Sequence, residues 1–150
     1  MTSSPTNLPV RVAVLGAGAR GFGIGAILKG FPHLARVVAV AEPRDDYCGR
    51  FMKEHSLPAD ACFRNWEEFV RRPPPCDAVY IGTMDREHRG PAEACLALGM
   101  HVLLDKPMAV TLEDCRAIEA AQRRSGAVVS ICHSLRHHKG MAKVKELVDA

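Results

Sequence analysis

Three groups of residues in this chain have the types and spacing to do chemistry. Gly16-Ala17-Gly18-Ala19-Arg20-Gly21 fits the pattern G-x-G-x-x-G. Gly16 permits a tight turn, Gly18 lets the backbone approach a pyrophosphate, and Gly21 allows a helix to pack close on a strand. Ala19 and Arg20 then open a helix whose free N–H groups and dipole favour an anion. Glu42 stands 26 residues after Gly16, near the ~20-residue spacing of a carboxylate that binds the adenosine ribose. Such a carboxylate favours NAD, whereas Arg44, or Arg20, can pair with the 2′-phosphate of NADP, so both cofactors stay open. The third group is Asp105-Lys106-Pro107, which follows Val102-Leu103-Leu104 without a spacer. A charge buried without a partner is expensive. A lysine at the lip of a core strand is therefore either solvated or partly desolvated, with a lowered pKa that suits it to proton transfer. In that second case Lys106 would take a proton as hydride leaves a secondary alcohol, and polarise a carbonyl in reverse.

These groups need a scaffold, and the hydrophobic pattern supplies one. Apolar runs at Val10–Leu15, Arg36–Ala41, Cys62–Phe63, Ala78–Gly82, His101–Leu104 and Val128–Cys132 read as strands. Between them lie helical stretches. Phe22–Phe31 carries Ile24, Ile27 and Leu28 at helical spacing, and Asp45 or Asp46 caps a helix to about His55. Asn65 caps Trp66–Arg71, before the prolines at 73–75. Pro91–Leu98 stops at Gly99, and a helix that Thr111 and Asp114 start in a capping-box-like arrangement ends at Gly126. Lys139–Ala150 closes the chain, with Met141, Val144, Leu147 and Val148 on one face. Apolar strands alternating with helices imply an α/β fold with a parallel sheet covered on both faces. Six such units fit a doubly wound Rossmann sheet in the order 3-2-1-4-5-6. Ligands bind such sheets beyond the carboxyl ends of the strands, near the switch in strand order. Lys106, just past strand five, would face the nicotinamide end of a dinucleotide.

Composition narrows the field. The chain has 150 residues and a net charge of +3, which suits one domain and argues against nucleic acid or a membrane as partner. Residues 1–8 are expected to form a disordered tail and 9–150 the folded domain. No uncharged apolar run approaches the ~20 residues of a membrane span, and a cytoplasmic location is expected. Six cysteines lie apart without a Cys-x-x-Cys pair, and are read as reduced. Cys132, His133, His137 and His138 straddle a strand end, where adjacent side chains diverge. No metal site is expected there.

Taken in order, GAGARG (16–21), AEPR (41–44), TMDREH (83–88), HVLLDKPMAVT (101–111) and CHSLRHHKGMAKVKELVDA (132–150) resemble the Gfo/Idh/MocA oxidoreductases, the group of glucose–fructose oxidoreductase and inositol dehydrogenase. The resemblance implies that Lys106 is the family's substrate-proximal lysine and that its bond to Pro107 is cis. Asp105, where the family usually has glutamate, would orient Lys106 or contact the nicotinamide ribose. Thr83 would contact the cofactor from the loop after strand four, and His88 matches the family's histidine there. A histidine at a helix start can equally bond to backbone. Arg136 matches an arginine near cofactor or substrate.

Family members carry a second, substrate-binding domain that these residues do not include. The resemblance therefore implies that the parent protein is an NAD(P)-dependent oxidoreductase acting on a secondary hydroxyl of a small molecule, such as a sugar or polyol. The 150 residues alone would bind dinucleotide without turnover. Oligomer contacts would come from the missing domain. Two other readings are a non-catalytic dinucleotide-sensing regulator, which has no need of Lys106, and an NAD-dependent glycosidase.

Overall fold

The computed structural model describes residues 8–150, so the expected tail lies outside the described residues except for Leu8. Six strands form one sheet: β1 (Val10–Leu15), β2 (Ala35–Ala41), β3 (Cys62–Phe63), β4 (Ala78–Ile81), β5 (His101–Leu104) and β6 (Val129–Ile131). Their order is 3-2-1-4-5-6 and every pairing is parallel. The doubly wound arrangement expected from the alternating pattern is present. The helices are α1 (Ala19–Gly30), α2 (Asp45–His55), α3 (Trp66–Arg71), α4 (Arg89–Ala97), α5 (Leu112–Ser125) and α6 (Lys139–Asp149). Two apolar clusters sandwich the sheet. One gathers Leu15, Ile81, Leu104, Phe63, Phe69 and Ile118, and the other Val14, Val40, Phe51 and Tyr80.

The local signals that start and stop helices act as their chemistry dictates. The Asn65 side chain accepts from the N–H of Glu68 at 2.7 Å, and that of Thr111 from the N–H of Asp114 at 3.1 Å. Gly126 ends α5 with φ +68° and Gly99 follows α4 with φ +78°, the left-handed conformation in which a Cβ is costly. Other expectations need correction. Arg44, not Asp45 or Asp46, is the N-cap of α2, and the two acids lie in its first turn, where they complement the helix dipole. Ile27 is 59% exposed, while Gly21 and Gly25 are buried. The contact face of α1 joins the expected Ile24 and Leu28 to Phe22 and to the buried Gly21 and Gly25, the latter lying against Phe51 and His55. Apolar spacing alone does not reveal the glycine part of that face.

The cysteine reading also changes. Cys48 on α2 and Cys62 on β3 are joined by a disulfide, their Cα atoms 6.8 Å apart, because α2 packs over the β2–β3 edge. Cys76, Cys95, Cys115 and Cys132 are free. The apolar face of α6 is exposed, with Met141 at 44% and Val148 at 79%. No described helix is long and apolar enough to cross a membrane.

Candidate functional site

The strand ends are in register, and this places the chemistry. Leu15 pairs with Ala41 and Ile81, Ile81 with Leu104, and Leu104 with Ile131. The ladder continues one residue further. The N–H groups of Gly16, Glu42, Gly82, Asp105 and Cys132 donate to the carbonyls of Ala41, Phe63, Leu15, Ile81 and Leu104. Residues 16, 42, 82, 105 and 132 therefore stand along one rim, the carboxyl edge of the sheet, with the switch in strand order between β1 and β4.

The glycine corner has the tolerances its pattern suggested. Gly16 adopts φ +94°, and a Cβ there would lie 2.5 Å from the Gly82 carbonyl oxygen. A Cβ on Gly21 would lie 2.1 Å from the Gly16 carbonyl oxygen, so these two glycines serve the backbone packing. Gly18 differs. A Cβ there would meet only the Arg44 guanidinium, at 3.8 Å, so open space lies before it and backbone packing does not require a glycine there. Gly18 is also the N-cap of α1, whose first N–H groups have no partner within the helix.

Glu42 is 3% exposed and its carboxylate is fully engaged. Oε2 accepts from the N–H of Ala17 at 2.8 Å and from the Arg44 guanidinium at 3.0 Å. Oε1 accepts from the Arg44 N–H at 3.1 Å and from Arg44 Nε at 2.6 Å. Burial alone would raise the Glu42 pKa, but the Arg44 side chain and the two backbone donors outweigh it and hold the carboxyl below its ordinary value. These four donors fill the acceptor sites a carboxylate has. Arg44 remains 49% exposed, 3.7 Å above the Tyr47 ring. The sequence reading treated Glu42 and Arg44 as alternatives, whereas here they form one unit that also clamps the glycine turn.

At the other end of the rim the buried charge is Asp105, and Lys106 is exposed. The partial burial expected of Lys106 is not found among the described residues, because the chain leaves the core one residue earlier. Arg20 Nε and Nη2 donate to the two Asp105 oxygens at 3.2 and 3.3 Å. The Lys106 N–H donates to Asp105 Oδ1 at 3.0 Å. Burial pushes the Asp105 carboxyl up, but the bonds from Arg20 and Lys106 prevail and keep it ionised below its usual range. Beneath it the Tyr80 hydroxyl is buried without a partner among the described residues, and burial and the Asp105 charge raise the phenol's pKa.

The Lys106–Pro107 bond is cis. His88, 1% exposed at the start of α4, bonds through Nδ1 to the Pro107 carbonyl at 2.8 Å. A carbonyl only accepts, so Nδ1 carries the proton, and His88 fastens the lysine loop to α4. Arg136 lies exposed in a 3-10 turn at Ser134–His137, and no side-chain bond joins it to the rim. Among the described residues no group of three or more His, Cys, Asp or Glu side chains is arranged to hold a metal ion.

A cleft of about 630 Å³ opens between the glycine corner and the loop after β4, within the usual size range of small-molecule sites. Gly16, Gly18, Glu42, Arg44 and Thr83 line it. The Thr83 hydroxyl is buried without a partner among the described residues, the condition of a group that meets a ligand. Open space at Gly18, unpaired N–H groups at α1 and this hydroxyl fit a dinucleotide. Sequence reasoning missed Trp66, which also lines the cleft, and the Arg20–Asp105 pair. No local spacing links Arg20 to a residue 85 positions away. Trp66, beside a capping asparagine directly after β3, was open to detection.

Comparison with known proteins agrees with this geometry. The model of the oxidoreductase family with an NAD-binding Rossmann fold, GFO_IDH_MocA, matches residues 10–133. Over 141 residues the chain is 35% identical to 1-carboxy-3-chloro-3,4-dihydroxycyclohexa-1,5-diene dehydrogenase of Comamonas testosteroni, an alignment covering 94% of the chain and 34% of that protein. It is 42% identical over 71 residues to 1,5-anhydro-D-fructose reductase of Ensifer adhaerens, covering 45% of the chain and 21% of that protein. The crystal structure of aldose-aldose oxidoreductase from Caulobacter crescentus complexed with glycerol superposes with a TM-score of 0.80 at 26% identity, covering 94% of this chain and 42% of that one. The chain thus spans about a third of the length of the Comamonas relative.

Proposed function

The chain belongs to the Gfo/Idh/MocA oxidoreductase family, and from that premise we propose that it is the dinucleotide-binding part of an NAD(P)-dependent oxidoreductase acting on a secondary hydroxyl of a sugar, polyol or related compound. The observation that carries this reading is the Arg20–Asp105 pair. It ties the glycine corner to the rim that bears Lys106, which supports a crevice extending from the cleft at Gly16, Gly18 and Thr83 along that rim, although Lys106 itself does not line the cleft. Neighbouring strands lie ~4.8 Å apart, and β5 is two places from β1. The two ends of the crevice are thus ~10 Å apart, a span a dinucleotide bridges. The matched relatives are named for work on a dihydroxylated ring, an anhydro sugar and aldoses, which supports the substrate class. Groups that select among substrates, and any subunit contacts, are assigned to the rest of the parent protein.

The N–H groups at Ala19 and Arg20 would hold the pyrophosphate, with Gly18 leaving room for it. Thr83 would hydrogen-bond the cofactor through its hydroxyl. Arg44 faces the cleft with a half-exposed guanidinium ready for a 2′-phosphate, while the Glu42 carboxylate becomes available to the ribose diol of NAD only when Arg44 swings away. Bound nicotinamide supplies the hydride acceptor or donor. Lys106 is assigned the proton: in reduction its ammonium would polarise the carbonyl oxygen and give it a proton, and in oxidation the same group would take the hydroxyl proton once bound substrate covers the side chain, which is exposed here. Asp105 acts as a positioning residue, since Arg20 and the Lys106 N–H occupy it. His88 positions the same loop through Pro107.

The test is Lys106→Ala in the full-length protein. General acid–base catalysis contributes about 10²–10⁴-fold, so kcat should fall by that much while the cofactor Kd changes less than about twofold. A variant that turns over at the parent rate would remove Lys106 from the chemistry.

A further inference from the structure

We propose that Trp66 is the wall on which the adenine base rests, and that Gly90 sets the position of that wall. The inference builds on the dinucleotide reading of the cleft and assigns its far end. If Lys106 marks the nicotinamide end, on the β5 side of β1, the adenosine end extends toward β2 and β3. Trp66 opens α3 directly after β3, and it is the one aromatic side chain that lines the cleft among the described residues. Its indole is half-buried, with part of its surface packed on the core and part left to the cleft.

Two contacts fix this placement. Asn65 caps α3 and sets the direction in which the chain enters the helix. On α4, a Cβ at Gly90 would lie 2.9 Å from Trp66 Cζ2 and 3.2 Å from Cη2. The indole fits where it does because residue 90 has no side chain. Beyond it lies a second, polar cleft of about 420 Å³ that shares Trp66, Glu67 and Glu87 with the first. The indole therefore lies between the two and supplies the aromatic surface at this end of the main cleft. Pro43 and Arg44 also line the main cleft, but the Arg44 guanidinium is already stacked 3.7 Å above the Tyr47 ring. That leaves the indole as the surface for a planar base, and any base can stack on it.

The chain has one tryptophan, so its emission reports on this position alone. Calorimetry and tryptophan emission should be followed on the 150-residue chain with NADP+ and, separately, with inorganic pyrophosphate, which occupies only the glycine corner. NADP+ should quench Trp66 at the calorimetric midpoint. Trp66→Ala should bind NADP+ about tenfold more weakly, the low end of what base–aromatic stacking contributes, with pyrophosphate affinity unchanged. Trp66→Phe should recover most of the loss. Gly90→Ala, which favours the helix but displaces the indole, should weaken NADP+ although residue 90 does not itself line the main cleft; it and Trp66→Phe keep the test open if the alanine variant unfolds. Binding of NADP+ by Trp66→Ala within twofold of the parent would overturn the proposal and leave the dinucleotide reading standing. An equal loss for pyrophosphate would overturn it by showing a collapsed corner. A parent chain that binds no dinucleotide would end both readings.

Discussion

Gly18→Ala separates binding from folding at the glycine corner. The new methyl would have only the Arg44 guanidinium near it, at 3.8 Å, and the backbone there, at φ −72° and ψ −168°, suits alanine. Restricting the unfolded chain stabilises by about 0.4–1 kcal/mol. Losing glycine at an N-cap costs a similar amount, so net stability should move by less than about 1 kcal/mol. The same methyl stands where a pyrophosphate must approach the N–H groups of α1. Hydrogen bonds to a charged group contribute about 1.5–3 kcal/mol each, and losing one weakens binding about ten- to a hundredfold. Gly21→Ala is the counterpart. Its methyl would lie 2.1 Å from a backbone oxygen, an overpacking that costs about 1–3 kcal/mol. Urea unfolding and cofactor calorimetry on both variants give the comparison. Gly18→Ala with unchanged cofactor affinity, or with stability lost as in Gly21→Ala, would refute the assignment of Gly18 as the point of approach.

Arg44→Ala should weaken NADP+ binding about tenfold or more while changing NAD+ affinity little or improving it, since it frees the Glu42 carboxylate; paired titrations measure the ratio. At the amino edge of the sheet, Asp77 accepts from the Arg11 N–H and from both ends of its guanidinium, and its pKa falls from 3.8 to about 2. A depressed carboxyl pKa stabilises the fold above the unfolded value and loses that contribution as pH drops through the folded one. The Tm advantage of the parent over Asp77→Asn should therefore hold above pH ~4 and shrink as pH falls toward ~2. A difference independent of pH would contradict it.

The sheet, its strand order and most helix ends were legible because their signals are local. Asn65, Thr111, Gly99 and Gly126 each act within a few residues of themselves, and apolar strands alternating with helices leave few topologies. The Gly16–Gly21 turn and the site of Lys106 followed from the same logic. What escaped the sequence depends on partners distant in the chain or on side-chain competition. Arg20 meets Asp105 across the sheet. Arg44 saturates Glu42 although each was read separately as a cofactor group. Cys48 and Cys62 meet because α2 crosses the sheet edge. Ile27 faces outward while Ile24 and Leu28 pack inward, because the inner face of α1 is completed by Gly21 and Gly25, which no hydropathy pattern records. The charge at the lip of β5 was placed correctly as a pair, but the buried member is Asp105, one residue before the exposed lysine.

The most direct test of the central claim, that one crevice holds a dinucleotide stretched from the glycine corner to the lysine rim, is a two-dimensional amide NMR titration of the chain with NADP+. The N–H signals of Gly18, Ala19 and Arg20 should shift together with those of Asp105 and Lys106, with one common midpoint. Signals at the corner that move while those of 105 and 106 stay fixed, or that saturate at a different concentration, would contradict it.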